Sequence, residues 1–298
     1  MGTRIMNRRN FIKISTGITG GLLAFSAIPG LSSCARAEQA VAAQKPFGLQ
    51  LYSLRDVIPA DPRGVLKQVS EFGYKHIESY DGPAGMFWGM SPAEFKTYMD
   101  ELGMKIVASH CNINENFEQK VANAASIGME YLICPWIGPQ ETVEAYNVFA
   151  DQFNRCGEIC NAAGIKFAYH NHAYTFEKIE DQYPQDILMQ STDPDLVEYE
   201  LDIFWLVVAG LDPIEELKKH SGRYTLSHVK DMKIGTEPGN GDSSATLGTG
   251  SINYSEIIEV ANQHGMKHLI VEQEKYAGTT PLDSARDNAV YMNSLLNS

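Results

Sequence analysis

One joint recurs along this chain. FGYKHI, LGMKIV, IGMEYL, AAGIKF and QHGMKHL each set a glycine at the end of a helical segment and begin an apolar strand at once. Glycine closes a helix there because it enters the left-handed conformation without steric cost. A chain built on that joint alternates helix with strand, which is the α/β pattern of parallel strands covered by helices. Apolar runs bounded by turn residues predict strands at 47–51, 75–79, 105–110, 131–135, 166–170, 198–201, 225–229 and 269–272. Helical periodicity predicts helices at 62–72, 91–102, 116–127, 141–163, 184–191, 212–220, 254–264 and 280–296. Such repeats in about 250 residues, without a long excursion, predict one closed (β/α)8 TIM barrel rather than a doubly wound open sheet.

The residues ahead of the barrel differ in kind. NRRNFIK (7–13) has a twin-arginine pattern, and ISTGITGGLLAFSAIPG (14–30) is apolar but too short and interrupted to span a bilayer. LSSC (31–34) resembles a lipobox, which would make Cys34 a lipidated first residue. Residues 1–34 are therefore expected to be an export signal, 35–46 a linker and 47–298 the barrel. The protein is expected in the periplasm, touching the membrane only through a lipid on Cys34. Residues 1–46 carry six Lys/Arg and one acid, which leaves 18 Lys/Arg against 36 Asp/Glu in the body. So acidic a body repels a phosphate backbone, so nucleic acid is not an expected partner. A homo-oligomer is compatible with the sequence. Cys111, Cys134, Cys156 and Cys160 lack CxxC or zinc-knuckle spacing and read as small buried hydrophobes, with Cys111–Cys134 the one bridge to check.

Barrel chemistry sits at the C-terminal ends of strands. Read in order, those ends are QLYSLRD, IESY, SHCN, CPW, HNH, ELD, HVKD and VEQE. Titratable groups crowd this one rim. Side chains alternate in and out along a strand, so inward His170, His228 and Glu272 bring Ala168, Leu226 and Ile270 inward with them, as a packed interior needs. Lys166 and Glu200 fall on the inner face and are expected to pair. His170, Asp202, His228 and Glu272 end four successive strands. Two imidazoles and two carboxylates there can hold one divalent ion with positions left open, and mixed N/O ligation favours Mn2+ or Co2+, with Fe2+, Zn2+ or Mg2+ as alternatives.

With these residues in view, the chain resembles the xylose-isomerase-like TIM-barrel superfamily (the AP endonuclease 2 family). That group includes sugar phosphate isomerase/epimerase-type proteins, inosose dehydratases, ketose 3-epimerases and endonuclease IV. The resemblance spans 47–298 and rests on GLQLYSLRD, LDIFWLVVAG, HVKD, LGTGSINY and IVEQE. It implies a divalent metal on Asp202, His228 and Glu272, with His170 standing where the family usually carries Glu. It also implies that the paired glutamates of the ketose epimerases are incomplete here. A metal-bound imidazole is a poor base, so the base must come from elsewhere among His110, Glu78, His172, Lys230 and Glu274.

The expected chemistry is proton abstraction beside a carbonyl to give an enediolate. Isomerisation or epimerisation of an unphosphorylated sugar or keto-sugar is the first expectation. Its rivals are a lyase performing β-elimination on 3-keto-glycosides (or a related dehydratase), and a non-catalytic carbohydrate-binding lipoprotein. Glu78, His110, Lys230 and Glu272 are the expected catalytic groups. Tyr52, Trp88, Trp136, His172 and Trp205 are expected to bind the sugar, since flat rings pack on a pyranose C–H face. GMFWG (85–89) and the long 231–253 loop are the expected covers over substrate. GTGSIN (248–253) is the nearest thing to a phosphate cradle.

Overall fold

The computed structural model describes residues 45–297. The twin-arginine stretch, the lipobox with Cys34 and the linker up to residue 44 lie outside the described residues.

Ten strands are described: β1 (Gly48–Gln50), β2 (His76–Tyr80), β3 (Lys105–His110), β4 (Tyr131–Cys134), β5 (Lys166–His170), β6 (Val197–Asp202), β7 (Tyr224–Val229), β8 (Asp231–Met232), β9 (Ser244–Ala245) and β10 (His268–Val271). Eight of them close a parallel barrel in the order β1-β10-β7-β6-β5-β4-β3-β2, while β8 and β9 form a separate antiparallel ribbon. The helices are α1 (Pro62–Glu71), α2 (Pro92–Glu101), α3 (Phe117–Ser126), α4 (Val143–Ala162), α5 (Pro184–Ser191), α6 (Ile203–Val208), α7 (Pro213–Lys219), α8 (Tyr254–Gln263) and α9 (Pro281–Leu296). The glycine joints behave as expected, with Gly103 at φ +65 and Gly164 at φ +78. Among the described residues no helix is long and apolar enough to cross a membrane.

Two cores result. A large one lies between strands and helices. A smaller one fills the barrel with Val107, Ala108, Tyr131, Ile133, Ala168, Leu226 and Ile270. Ala168, Leu226 and Ile270 thus pack inward as their alternation requires. Register is broken twice: between Ile77 and Glu78 against β3, and between Tyr199 and Glu200 against β7. Each break inserts one extra residue, Val107 or Thr225, and such a bulge switches the faces of the residues beyond it. His110 and His228 are thereby turned inward beside Glu78 and Glu200.

Several expectations are corrected. Lys166 does not pair with Glu200; its ammonium lies 4.0 Å from Glu198, one layer nearer the N-terminal rim, and Glu200 turns to His110. Helix α6 is additional, following β6 without a loop. Residues 85–89 are not a cover: Met86, Phe87 and Trp88 are buried, and Ser79 Oγ donates to Met86 O while accepting from Trp88 Nε1. All four described cysteines are buried and unbridged.

The 231–253 segment is pinned from within. Asp231 accepts hydrogen bonds from the backbone N–H groups of Gly248, Gly250 and Ile252 at 3.0, 2.9 and 3.1 Å. Those are the amides a phosphate would need, and an internal carboxylate already holds them. A Cβ on Gly250 would sit 2.2 Å from Asp231 Oδ1 and 2.3 Å from Met232 O, so only glycine fits there.

Candidate metal centre and active site

The strand-5 end HNH divides three ways. His170 faces inward and is buried. Asn171 braces the neighbouring strand, its amide donating to Asp202 O at 3.1 Å and its carbonyl accepting from Asp202 N at 2.9 Å. His172 sits among aromatics, with ring centroids 4.6 Å from Trp136 and 5.3 Å from Trp205.

Asp202 divides its two oxygens. Oδ1 caps helix α6 by accepting from Trp205 N at 2.9 Å. That fixes the carboxylate and leaves Oδ2 for the barrel axis, 3.4 Å from His170 Nε2 and 3.5 Å from His228 Nδ1. His228 Nδ1 also lies 3.2 Å from His170 Nε2 and 3.2 Å from Glu272 Oε2. Donors bound at 2.0–2.2 Å in a tetrahedral set stand about 3.3–3.6 Å apart. Two of the observed separations fall in that range and two lie just below it, and His170, Asp202 and His228 bring their donor atoms within 4.8 Å of one another, so these three fit a divalent ion, with Glu272 beside His228 as the carboxylate nearest to them. Burial lowers the His170 pKa to about 4, which leaves its imidazole neutral and able to ligate.

A second layer lies directly beneath. His228 Nε2 donates to Glu78 Oε1 at 2.7 Å, and Gln50 Nε2 donates to the same oxygen at 2.7 Å. This is the carboxylate–histidine arrangement that orients a metal-binding imidazole. His110 Nε2 bridges Glu200 Oε2 at 2.9 Å and Glu78 Oε1 at 3.2 Å. Burial alone would lower the His110 pKa, but Glu78 and Glu200 outweigh it and push it up to about 9. Burial and the Glu78 charge push Glu200 up to about 7. Glu78 Oε2 and Glu200 Oε1 are buried without a partner.

Lys230 completes the cluster. Its ammonium is fully buried, 3.1 Å from Asp202 Oδ2, 2.6 Å from Glu272 Oε2 and 2.5 Å from Glu274 Oε1. Burial opposes its charge, but these carboxylates hold it protonated, well above the usual lysine range. Three carboxylates (Asp202, Glu272, Glu274) thus surround the Lys230 ammonium, while Glu78 and Glu200 lie against His110 and His228 in the layer beneath. The excess negative charge is what raises His228 despite its burial, and it is what a divalent ion would neutralise by taking the place of the proton on Nδ1.

A cavity of about 580 Å³ opens above. His110, His170, His172, Glu272 and Glu274 form its floor, and Tyr52, Tyr80, Trp136 and Phe149 form part of its walls. Four expected residues lie elsewhere. Glu78 is wholly buried beneath the floor and does not line the cavity. Lys230 is likewise buried and acts through its carboxylate partners. Trp88 is packed edge-on behind Tyr80 with centroids 5.2 Å apart, and Trp205 stands behind His172 and over the Lys230 ammonium at 5.4 Å. Both tryptophans therefore support the wall rather than form it. Sequence reasoning missed Phe149, because it comes from helix α4 rather than a strand end. It also missed Glu200 as a partner of His110, because a bulge changes the register there.

Fold and site define a (β/α)8 barrel whose interior holds a His/carboxylate centre suited to a divalent metal. The chain belongs to the xylose isomerase-like TIM barrel family, which it matches over residues 66–295. It is 24% identical over 196 residues to an inosose dehydratase of Geobacillus kaustophilus (strain HTA426), covering 57% of this chain and 61% of that one. The chain thus spans less than two thirds of that relative. Among solved structures it resembles a sugar phosphate isomerase/epimerase from Parabacteroides distasonis ATCC 8503, with TM-score 0.72 and 27% identity, over 87% of this chain and 97% of that one. It shares its fold with the IOLI protein, solved with a bound zinc atom, at TM-score 0.66 and 16% identity over 84% of this chain and 98% of that one.

Proposed function

We propose that this protein is a divalent-metal-dependent sugar enzyme whose reaction is elimination from a keto-glycoside or a related keto-sugar. The observation that carries this is the asymmetry of the cavity floor. Of its three lining carboxylates, Glu272 and Glu274 follow the same strand and Asp81 is tied to the Lys120 ammonium at 2.6 Å, while β3 and β5 offer the imidazoles of His110, His170 and His172. Epimerisation needs proton transfer on two faces of one carbon; elimination needs one base and one acid.

The metal, held by His170, Asp202, His228 and Glu272, would supply Lewis acidity to adjacent oxygens of the bound sugar. Glu272 is the base. Its Oε2 is anchored by His228 and Lys230, and the residue lines the cavity. Lys230 keeps that carboxylate charged. His110 is the acid: Nε2 is taken up by Glu200 and Glu78, which hold the ring protonated, and Nδ1 is left for the cavity. The C–H beside the ketone loses its proton to Glu272, a C=C bond forms as the β C–O bond breaks, and the departing oxygen takes the His110 proton. The inosose dehydratase relative supports loss of a β-oxygen. The twin-arginine segment and the filled amide cradle at Asp231 support an unphosphorylated substrate in the periplasm.

The likeness to a sugar phosphate isomerase/epimerase over most of both chains favours a second reading, proton return without elimination. Proton NMR in D2O decides between them. With metal-loaded protein and a 3-keto-glycoside, the lyase reading predicts free aglycone and a new vinylic signal. Deuterium entering a C–H with the skeleton intact would overturn it in favour of the isomerase or epimerase.

A further inference from the structure

Of the large hydrophobic side chains that stand exposed among the described residues, only two are aromatic, Trp136 at 54% and Tyr52 at 40%. Both line the same cavity. Neither is loose. Trp136 is gripped edge-on by His172 and by Tyr174 at 4.7 Å between centroids. Tyr52 packs edge-on against Tyr80 at 5.3 Å, with the Arg55 guanidinium 4.6 Å from its ring centroid. Rigidly held aromatic faces left open to solvent are unexplained by folding and mark a binding surface.

The cavity has two sectors. The metal-binding groups come from β5, β6, β7 and the end of β10. Tyr80 ends β2, Ile113 and Trp136 follow β3 and β4, and they are joined by Tyr52, Ile137 and Phe149. A volume of about 580 Å³ lies in the range that accepts drug-sized ligands, so a lone monosaccharide leaves room to spare. His110 ends β3, on the border between the sectors. A leaving group protonated there departs over β2–β4, towards the aromatic wall.

We infer that this wall is a leaving-group subsite, and that the substrate is a glycoside with a planar aromatic aglycone seated between Tyr52 and Trp136. The inference rests on the elimination reading above and names the substrate class for it. The sugar ring occupies the polar floor, while the aglycone is held by stacking and apolar burial.

The test uses inert probes and the full chain loaded with Mn2+. Phenyl and methyl β-D-glucopyranoside are titrated calorimetrically. Stacking and burial of one aromatic ring predict that the phenyl glycoside binds about tenfold tighter or more. Trp136→Ala brings the phenyl affinity down to that of the methyl glycoside, and Phe149→Ala, from a different element of the same wall, narrows the gap too. Near-UV circular dichroism confirms that both variants are folded. Equal affinities, no phenyl binding, or a phenyl preference that survives both variants would overturn the subsite. A phenyl preference without aglycone release from any keto-glycoside would sink the elimination reading and leave the subsite standing. Aglycone release with equal affinities would do the reverse.

Discussion

The two ends of this barrel carry the same kinds of side chain and use them differently. At the N-terminal rim, Lys105 meets Glu130 at 2.5 Å, with side chains 52% and 38% exposed. His268 reaches Glu130 at 3.3 Å, and Lys267 and Lys166 stand 3.8 and 4.0 Å from Glu198. At the C-terminal rim Glu78, Glu200, Asp202, His228 and Lys230 are wholly buried. Water screens Lys105–Glu130, so that pair contributes about 0–1 kcal/mol, while His268 and Glu198 in the same set are mostly shielded from solvent. In the second set each charge depends on its neighbours, and removing one partner leaves another buried and unpaired, at about 3–5 kcal/mol. Burial, rather than composition, separates a stabilising rim from a reactive one.

That contrast can be broken in order of expected effect. Glu272→Gln keeps the shape of the floor and removes the base; turnover of a keto-glycoside should fall by about 10²–10⁴-fold while the protein stays folded. Undiminished turnover would remove Glu272 from its role. Glu78→Gln never touches the cavity, yet loses the charged acceptor of His228 Nε2–H. Metal affinity should drop by about 10–100-fold, measured by competition with a chelating dye. An unchanged affinity would mean that Glu78 does not orient the ligand.

At the opposite rim, burial and then the His268 charge lower the His76 pKa to about 4; burial likewise lowers His268. Their folded values lie below the unfolded one, so the stability tied to their neutral forms is present above about pH 6.5 and lost as pH falls towards 4. Urea midpoints should decline through that window, and His76→Gln should flatten the decline. Lys105→Met should move stability by no more than about 1 kcal/mol. A large loss there would show that the lower rim is as tightly coupled as the upper.

Much of this arrangement is legible in the residues. The Gly joints mark where strands begin, and a TIM barrel then gathers the strand ends, so His170, Asp202, His228 and Glu272 can be picked out without coordinates. What stays hidden depends on events between strands. The bulges at Val107 and Thr225 leave no local pattern, yet they turn His110 towards Glu200. Asp202 as a helix cap was hidden because helix α6 is too short to show a period. Trp88, flanked by glycines, has the composition of a mobile cover. Only the serine at the end of β2, bonding to Met86 O and Trp88 Nε1, reveals it as an anchored part of the wall.

The central claim is that the buried negative charge of the upper rim is balanced by a divalent cation on His170, Asp202, His228 and Glu272. Titration of metal-free protein with Mn2+, followed by electron paramagnetic resonance, tests it directly. One tight site per chain that disappears in folded Asp202→Asn is the predicted result. No tight site in the wild type, or a site that survives Asp202→Asn unchanged, would contradict it.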